Sequence, residues 1–353
     1  MKTIKKLIFF LLRIKKRSFF PKRSKIFQSI KNKSNYKIMS FGNKNKNKIF
    51  YVIKRIRGGG FFSNFLFVLN HLVIADKLKF IPIVDMENFD NFYTEKKLIN
   101  NSKNSWEHLL ANVSKYSLKE VYKSTLVVFS EDSFFKEMSI DYKENTKDLL
   151  KVFNKYIKVK PFIHTEVKNF VKKNFINQKV LGVHWRGTDY QTIPNHPYPP
   201  TKKQIITKVN LLIKKYKYTK IFLITEDKKN FDIFLNYYGN KVCFYNSFRT
   251  NKVEEFDFFN RKNHRYNLSK ESLIEVMTLS KLDRVVCSRS NISGAAIFIS
   301  KNNKYKVHEI YNGFSVNSVF ISFFGWHILS KLPSFLGGFK INPNINEFNK
   351  KRL

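Results

Sequence analysis

The sequence predicts an α/β fold with two domains, each organised around a parallel β-sheet. The 353 residues are more than one ordinary hydrophobic core needs and suit two domains of common size. Near the start of the structured part, a strand, a glycine turn, a helix and a second strand follow in order, and such a unit predicts parallel strands. Later in the chain, strands and helices alternate repeatedly, which is typical of a doubly wound sheet.

The first domain is predicted over residues 48–170. Its opening strand is β-branched and apolar, three glycines interrupt it, and helical periodicity follows. The region between its second strand and its last helix is predicted to be mainly polar helix and loop. In chain order the elements are the strand Lys48–Ile56, the turn Gly58, Gly59 and Gly60, the helix Phe61–Lys77, the strand Phe80–Val84, the polar region Asn91–Val159 and the helix Pro161–Phe175.

The second domain is predicted over residues 171–312, where short apolar runs alternate with helical patterns. Residues 313–353 are predicted to form a helical, apolar tail, in which Val316–Leu336 is a packed or interfacial helix. The elements of the second domain are the strands Val180–Val183, Ile221–Ile224, Lys241–Tyr245, Arg284–Cys287 and Lys306–Ile310, and the helices Lys202–Lys215, Asn230–Tyr237, Lys270–Ser280 and Ser293–Ser300.

The formal net charge is +40, from 66 Lys and Arg against 26 Asp and Glu. A charge of this size suggests nucleic-acid binding. The positive residues are, however, spread along the chain, lysine greatly outnumbers arginine, and no aromatic RNA-binding motif is present. Over-use of Lys, Asn, Ile and Phe is also typical of an AT-rich genome. We therefore expect no nucleic-acid partner and attribute the charge to this bias and to attraction for anionic membranes and an anionic donor.

Residues 1–47 are predicted to be a basic leader and a solvated linker. The apolar run Leu7–Leu12 is too short to cross a bilayer but suits a basic helix lying on an anionic membrane surface. The alternative is a basic overhang with no partner. Cys243 and Cys287 fall in predicted buried strands, and no disulfide framework or zinc-ligand spacing is present. These features predict a cytoplasmic protein, which the leader would hold on the inner face of the membrane.

The segment Val180–Tyr190, VLGVHWRGTDY, carries the clearest functional signal. A buried strand ends there in polar residues, and ligands of open α/β sheets bind at the carboxyl ends of strands. Arg186, next to Gly187, suits an anionic group such as a diphosphate. The alternative is a structural ion pair between Arg186 and Asp189.

A second signal lies in Leu279–Phe298, where a predicted strand ends in hydroxyl and amide side chains. A helix rich in small residues starts at once, and polar groups at a helix N-terminus form an anion site. The alternative is a plain N-cap, which needs only one such residue. The side chains concerned are Ser288, Ser290, Asn291 and Ser293.

Together these motifs resemble the superfamily of α-1,2-, α-1,6- and protein O-fucosyltransferases. Members combine an H-x-R-x-[GT]-D strand end, a middle strand ending in acidic residues and a serine-rich segment before a small-residue helix. The glycine turn, with Asn64, is similar in place to the N-terminal glycine-rich turn of the family. The matching residues are His184, Arg186 and Asp189; Thr225, Glu226 and Asp227; and Ser288, Ser290, Asn291 and Ser293.

The resemblance implies a GT-B fold, with two Rossmann-like domains facing a cleft and GDP-fucose bound in the C-terminal domain. It implies an inverting transfer that uses no metal or other cofactor. Arg186 would then neutralise the β-phosphate of the leaving GDP, with Ser290 and Asn291 as further donors. Glu275 takes the place of a carboxylate thought to bind guanine or ribose, although a solvent-facing helix residue is the alternative. The implied donor-binding residues are His184, Arg186, Gly187, Thr225, Glu226, Asp227, Glu275, Ser288, Ser290, Asn291 and Ser293, and Gly58, Gly59, Gly60 and Asn64 would line the cleft from the first domain.

The chain departs from the family pattern at two positions. Gly187 stands where many α-1,6 members have a second arginine, and the missing charge could come from Arg55, Arg57 or Arg289. Pro194 stands where those members have a glutamate base. The general base is therefore open among His196, Asp189, His71 and Glu87.

These inferences predict a glycosyltransferase that transfers fucose from GDP-fucose to a glycan acceptor of bacterial surface polysaccharide or lipopolysaccharide. One alternative is a transferase that uses another GDP-sugar. Two alternatives of other classes are a basic nucleic-acid-binding protein and an inactive glycan-binding module. The acceptor itself is not specified by the sequence, because acceptor loops vary freely on a fixed scaffold.

Overall fold

A computed structural model describes residues 39–56, 59–130, 146–187, 190–191, 193–302, 304–340 and 345–349. Its elements form two β-sheets with helices packed against them. The strands are β1 Lys44–Lys54, β2 Ile81–Asp85, β3 Ser124–Phe129, β4 Val180–His184, β5 Lys220–Ile224, β6 Val242–Cys243, β7 Arg284–Ser288, β8 Lys306–Ile310 and β9 Ile345–Asn349. The α-helices are Phe61–Lys77, Leu118–Val121, Thr146–Tyr156, Pro161–Phe175, Lys202–Tyr216, Lys228–Tyr238, His264–Leu279, Asn291–Ile299 and Val319–Leu329.

The first sheet has the strand order β2-β1-β3, and all three strands are parallel. β3 corrects the sequence analysis, which assigned its residues to a polar region of helix and loop. Val127, Val128 and Phe129 of β3 are buried beside β1. The strand was missed because it is short and follows a run of polar residues, so its apolar half gives little periodic signal.

The second sheet has the order β6-β5-β4-β7-β8-β9. Its first five strands are parallel, with β4 between β5 and β7. The chain therefore moves outward from β4 through β5 to β6 and then returns to β7 on the other side of β4. This reversal makes the β4–β7 boundary the topological switch point of a doubly wound sheet. The two parallel sheets confirm the predicted α/β class.

The tail adds a strand that the sequence analysis did not predict. β9 pairs antiparallel with β8 and becomes the edge of the second sheet. Its Glu347 accepts a hydrogen bond from Lys208 at 2.6 Å and lies 2.9 Å from Nδ1 of His308. The tail thus combines a helix, Val319–Leu329, with an edge strand that side chains of two other elements hold in place. The helix is shorter than the predicted Val316–Leu336, because the chain turns at Pro333.

The helix Pro161–Phe175 packs on the second sheet. Phe170 contacts Phe222 and Tyr245, and Phe175 contacts Phe222. The predicted division between residues 170 and 171 therefore falls inside a helix that packs as one unit on the second sheet.

The two sheets are joined by helix contacts and share a continuous apolar core. The helix that follows β1 packs on the helix that follows β7. Phe153 and Phe298 meet edge to face in the same region, with ring centroids 5.4 Å apart. Within the described ranges, no helix is both long and apolar enough to cross a membrane.

Candidate active site

The structure places Arg186 and Ser288 side by side at the switch point of the second sheet. β4 and β7 are paired through His184 and Cys287, so the residues that follow them emerge together at the carboxyl edge. The backbone N–H of Arg186 donates a hydrogen bond to Ser288 Oγ at 3.0 Å. The two sequence motifs therefore lie at the place where doubly wound sheets bind ligands.

Glu226 and Tyr190 both contact the guanidinium of Arg186. Its Nη1 lies 3.1 Å from Oε1 of Glu226, and the group stacks over the ring of Tyr190 with 4.5 Å to the centroid. The side chain keeps 21% of its surface exposed. Arg186 is thus fixed in direction but still accessible to an anion. Asp189, the ion-pair partner considered from sequence, lies outside the described residues, as do Thr188, Arg57 and Gly58.

A side chain at Gly187 would require the side chains of Asn230 and Asp227 to shift. A Cβ atom there would lie 2.5 Å from Asn230 Nδ2 and 2.9 Å from Asp227 Oδ2. Its N–H donates to Glu226 Oε1 at 3.1 Å. Asp227 is itself committed, because it caps the helix Lys228–Tyr238 by accepting from the N–H of Asn230.

The serine segment forms a helix cap. Ser290 is the N-cap of the helix Asn291–Ile299 and exchanges hydrogen bonds with Ser293 in a capping box. Both side chains are buried, and Ser293 Oγ also lies within hydrogen-bonding distance of the Ser288 carbonyl. Ser290 and Ser293 therefore act as helix-capping residues, which is the alternative considered from sequence. The Asn291 side chain stays partly exposed at the first turn of the helix.

Arg289 is committed to a structural ion pair. It binds Glu309 through two parallel hydrogen bonds of 3.0 and 2.9 Å, and the Glu309 side chain is fully buried. Two N–H groups of the Arg289 guanidinium are therefore already bound to a carboxylate of the protein. Arg289 is consequently a poor source of the charge that Gly187 does not supply.

His184 is a neutral, buried group beneath the switch point. Burial, and then the charge of Arg186, lower its pKa to about 3. Its Nδ1 lies 3.5 Å from Ser290 Oγ, and its Nε2 has no hydrogen-bond partner within the described parts of the chain. Buried polar atoms are usually satisfied, so Nε2 is an exception among the described residues beneath the switch point.

Glu275 is buried, which excludes the solvent-facing alternative considered from sequence. It accepts a hydrogen bond from Ser247 Oγ at 2.7 Å and pairs with Arg249 at 3.4 Å. Arg249 also donates to two carbonyls of the loop after β6, those of Tyr245 and Ser247. This loop joins the Glu226 region, because the N–H of Thr250 donates to the Glu226 carbonyl. The Glu275–Arg249 pair therefore holds the loop after β6 against the carboxyl edge of the second sheet, beside Arg186.

Burial raises the pKa of Glu275 to about 7, against the opposing effects of Arg249 and Ser247. The folded protein then binds a proton that the unfolded chain, with its ordinary pKa of 4.5, has already released. We expect the stability of the wild-type protein, relative to Glu275→Gln, to fall as pH rises from about 4.5 to about 7 and to level off above that. Denaturant unfolding of both proteins across this range measures the difference. A difference that is constant, or that grows with pH, would contradict the assignment.

The first domain contains a glycine turn and a buried amide after its central strand β1. Asn64 lies in the first turn of the helix Phe61–Lys77, and neither atom of its amide has a hydrogen-bond partner among the described residues. Arg55 fixes this turn by donating to the carbonyl and hydroxyl oxygens of Ser63. Gly59 is close-packed against the same serine, and Gly60 is the N-cap. Asn64 is therefore a second unsatisfied polar group after a central strand.

The candidate general bases differ in burial and in location. His71 is fully buried, with its Nδ1 2.9 Å from Tyr51 Oη and its pKa lowered to about 3 by burial and by Lys54 and Arg55. Glu87 is exposed after β2, and its pKa is raised by partial burial and by Asp85. His196 instead lies near Arg186, because its ring contacts Tyr190 edge to face at 5.3 Å.

Two residues of this site were not identified from sequence. Tyr190 lies between Arg186 and His196, and Arg249 neutralises Glu275. No spacing rule marks either one, although Tyr190 closes the quoted motif and arginine is rare in this lysine-rich chain. Over the described part of the chain, no cluster of three or more His, Cys, Asp or Glu side chains is arranged to hold a metal ion.

Comparison with known proteins gives structural similarities only. No family model matches the chain, and no curated protein matches it. It is similar to fucosyltransferase NodZ from Bradyrhizobium, with 13% identity, a TM-score of 0.46, and coverage of 75% of this chain and 96% of that one. It is also similar to POFUT1 in complex with GDP-fucose, with 12% identity, a TM-score of 0.42, and coverage of 78% of this chain and 98% of that one. A third similar structure is an Arabidopsis thaliana FUT1 mutant in complex with GDP, with 10% identity, a TM-score of 0.42, and coverage of 76% of this chain and 72% of that one. All three scores lie below 0.5, so the functional proposal rests on side chains of this chain.

Proposed function

We propose that this protein is a glycosyltransferase of the GT-B type that uses a GDP-sugar, GDP-fucose, as its donor. The observation that supports this most is the placement of Arg186 at the β4–β7 switch point, beside the N-terminus of the helix Asn291–Ile299. A guanidinium and a helix N-terminus are both suited to phosphate oxygens. The choice of guanine and of fucose comes from the resemblance of the motifs.

In the proposed reaction, an acceptor hydroxyl attacks C1 of the sugar from the face opposite GDP. The new C–O bond forms as the bond between C1 and the β-phosphate oxygen breaks, and the electron pair leaves with GDP. Inversion at C1 follows from this geometry. Arg186 stabilises the charge that develops on the diphosphate, and the helix dipole adds to it, so the step requires no metal.

We assign the general base to His196. Its Nδ1 lies 2.8 Å from the carbonyl oxygen of Pro194, which can only accept, so Nδ1 carries the proton and Nε2 keeps its lone pair. His196 is partly exposed and stands where Pro194 leaves the chain without the glutamate of the resembled family. The lone pair of Nε2 could then take the proton of the acceptor hydroxyl.

The acceptor is proposed to be a glycan of a bacterial surface polysaccharide, modified at the cytoplasmic face of the membrane. Support comes from the resemblance and from the positive charge of the chain, which favours anionic surfaces.

Titration with a panel of nucleotides tests the donor assignment. GDP is expected to bind in the second domain and to raise the melting temperature, because a ligand that prefers the native state stabilises it. UDP and CMP should shift the melting temperature less. Equal shifts from all three would contradict guanine selectivity, and binding of DNA in preference to GDP would favour the nucleic-acid alternative.

A further inference from the structure

The tail presents an exposed apolar surface, which we call the tail patch: Phe314, Val316, Phe320, Ile321, Phe324, Ile328, Phe335 and Leu336. Half of the large apolar side chains exposed in the described part of the chain lie in this set. Phe335 is 84% exposed and Leu336 57%. All eight lie within residues 314–336, and a concentration of exposed apolar side chains of this kind marks an interaction surface rather than ordinary surface composition.

Four residues of the patch lie on one face of the helix Val319–Leu329. Phe320, Ile321, Phe324 and Ile328 follow helical spacing and point outward. The opposite face is fixed to the protein: Ser322 is buried, and Trp326 Nε1 donates to the Pro199 carbonyl at 3.1 Å. The helix is therefore held in place with its apolar side outward.

The electrostatic surroundings of the patch are positive. The sequence contains no Asp or Glu from Tyr311 to Ile345. The exposed lysines Lys331 and Lys340 lie in the tail itself. Two more exposed lysines, Lys202 and Lys203, closely follow Pro199, which contacts Trp326 of the tail helix. Lysines bordering an apolar, aromatic helix face are the features of a helix that lies in an anionic bilayer surface.

We propose that the tail patch docks the protein on an anionic lipid bilayer, with Phe335 and Leu336 inserted at the interface. A second copy of the chain fits the patch less well, because two chains of net charge +40 repel each other. This surface is separate from the basic leader, which lies outside the described residues.

Docking would also orient the proposed active site. The start of the tail is hydrogen-bonded to the loop that carries His196. The N–H of His196 donates to Ser315 Oγ at 3.0 Å, and the N–H of Tyr198 donates to the Gly313 carbonyl at 2.9 Å. A docked patch brings this loop to the bilayer surface, where a lipid-linked acceptor is presented. This consequence rests on the proposed function, whereas the docking itself does not.

Quenching of a tryptophan placed on the patch tests the proposal. Trp106 and Trp185 are buried, and Trp326 lies on the helix face that is fixed to the protein. Vesicles of phosphatidylcholine with phosphatidylglycerol, carrying bromine on the acyl chains near the headgroups, should quench the added tryptophan in full-length Phe335→Trp. They should quench Phe258→Trp, at a residue of similar exposure elsewhere, no more than the wild type. Binding of Phe335→Trp to the vesicles without quenching beyond that of the wild type, or equal quenching of the two variants, would overturn the proposal.

A matched pair of variants tests the insertion. Phe335→Ser/Leu336→Ser should weaken binding to phosphatidylglycerol vesicles by about 10-fold or more, with an unchanged melting temperature. Phe258→Ser/Leu211→Ser, two residues of similar exposure elsewhere, should bind as the wild type does. Equal binding by both variants would overturn the proposal. So would a dimer, seen by sedimentation velocity, that the first variant dissociates. Because these readouts need no GDP-sugar, failure of the docking surface and failure of the donor assignment are distinguishable.

Discussion

Arg186→Ala is expected to reduce turnover of the GDP-sugar by about 10²–10³-fold, as loss of one preorganised charge-stabilising group does. Arg186→Lys should recover only part of this, because a point charge cannot reproduce the bidentate fork of a guanidinium. Stability should change by no more than about 1 kcal/mol, because the Arg186–Glu226 pair is partly exposed. Steady-state kinetics and thermal unfolding of both variants measure these effects.

Arg289→Ala is the control for this experiment. Arg289 follows the neighbouring strand but binds the fully buried Glu309, so its removal leaves a buried carboxylate without its cation. We expect Arg289→Ala to lower stability by about 3 kcal/mol or more and to leave GDP affinity of the folded protein near normal. If Arg186→Ala behaves in the same way, with lost stability and normal turnover, then Arg186 is a structural ion-pair residue.

Arg249→Met is expected to have the largest effect on stability. The guanidinium is almost fully buried, pairs with Glu275 and stacks over the ring of Phe231 with 4.4 Å to the centroid. Breaking a buried pair on one side costs about 3–5 kcal/mol, because the remaining charge is left uncompensated. The loss should be greatest above about pH 7, where Glu275 would otherwise be ionised. Denaturant unfolding measures it.

The double variant Arg249→Met/Glu275→Gln separates the pair from its individual residues. It should recover most of the stability, because no buried charge remains, and a double-mutant cycle gives the coupling. Strictly additive losses would show that the two side chains are independent. GDP affinity of Glu275→Gln adds a functional readout: a loss supports contact with the nucleoside, and normal affinity assigns Glu275 to support of the loop alone.

Much of the fold could be predicted from the sequence, because parallel strands buried on both faces are short apolar runs. Phe61–Lys77, Pro161–Phe175 and Lys306–Ile310 have the predicted bounds. β3 and β9 were missed for a common reason: both lie in polar surroundings, and their strand character comes from pairing with a neighbour that is distant in sequence.

The position of the candidate site could be predicted from the sequence, but the hydrogen-bond and ion-pair partners of its side chains could not. Arg186 and Ser288 meet because strand order brings two strand ends together, which the alternation of strands and helices already suggests. The sequence does not show that Ser290 and Ser293 satisfy each other, or that Arg289 is occupied by Glu309. These outcomes depend on distances between residues of different elements.

The release of GDP from GDP-fucose tests the central claim most directly. Wild-type protein and Arg186→Ala would be incubated with GDP-fucose, GDP-mannose and UDP-galactose, together with glycan acceptors, and nucleotide release would be followed over time. We predict release from GDP-fucose by the wild type and a loss of about 10²–10³-fold in Arg186→Ala. Absence of turnover with every donor, or turnover that is equal in the two proteins, would contradict the assignment of a GDP-sugar site to the switch point at Arg186.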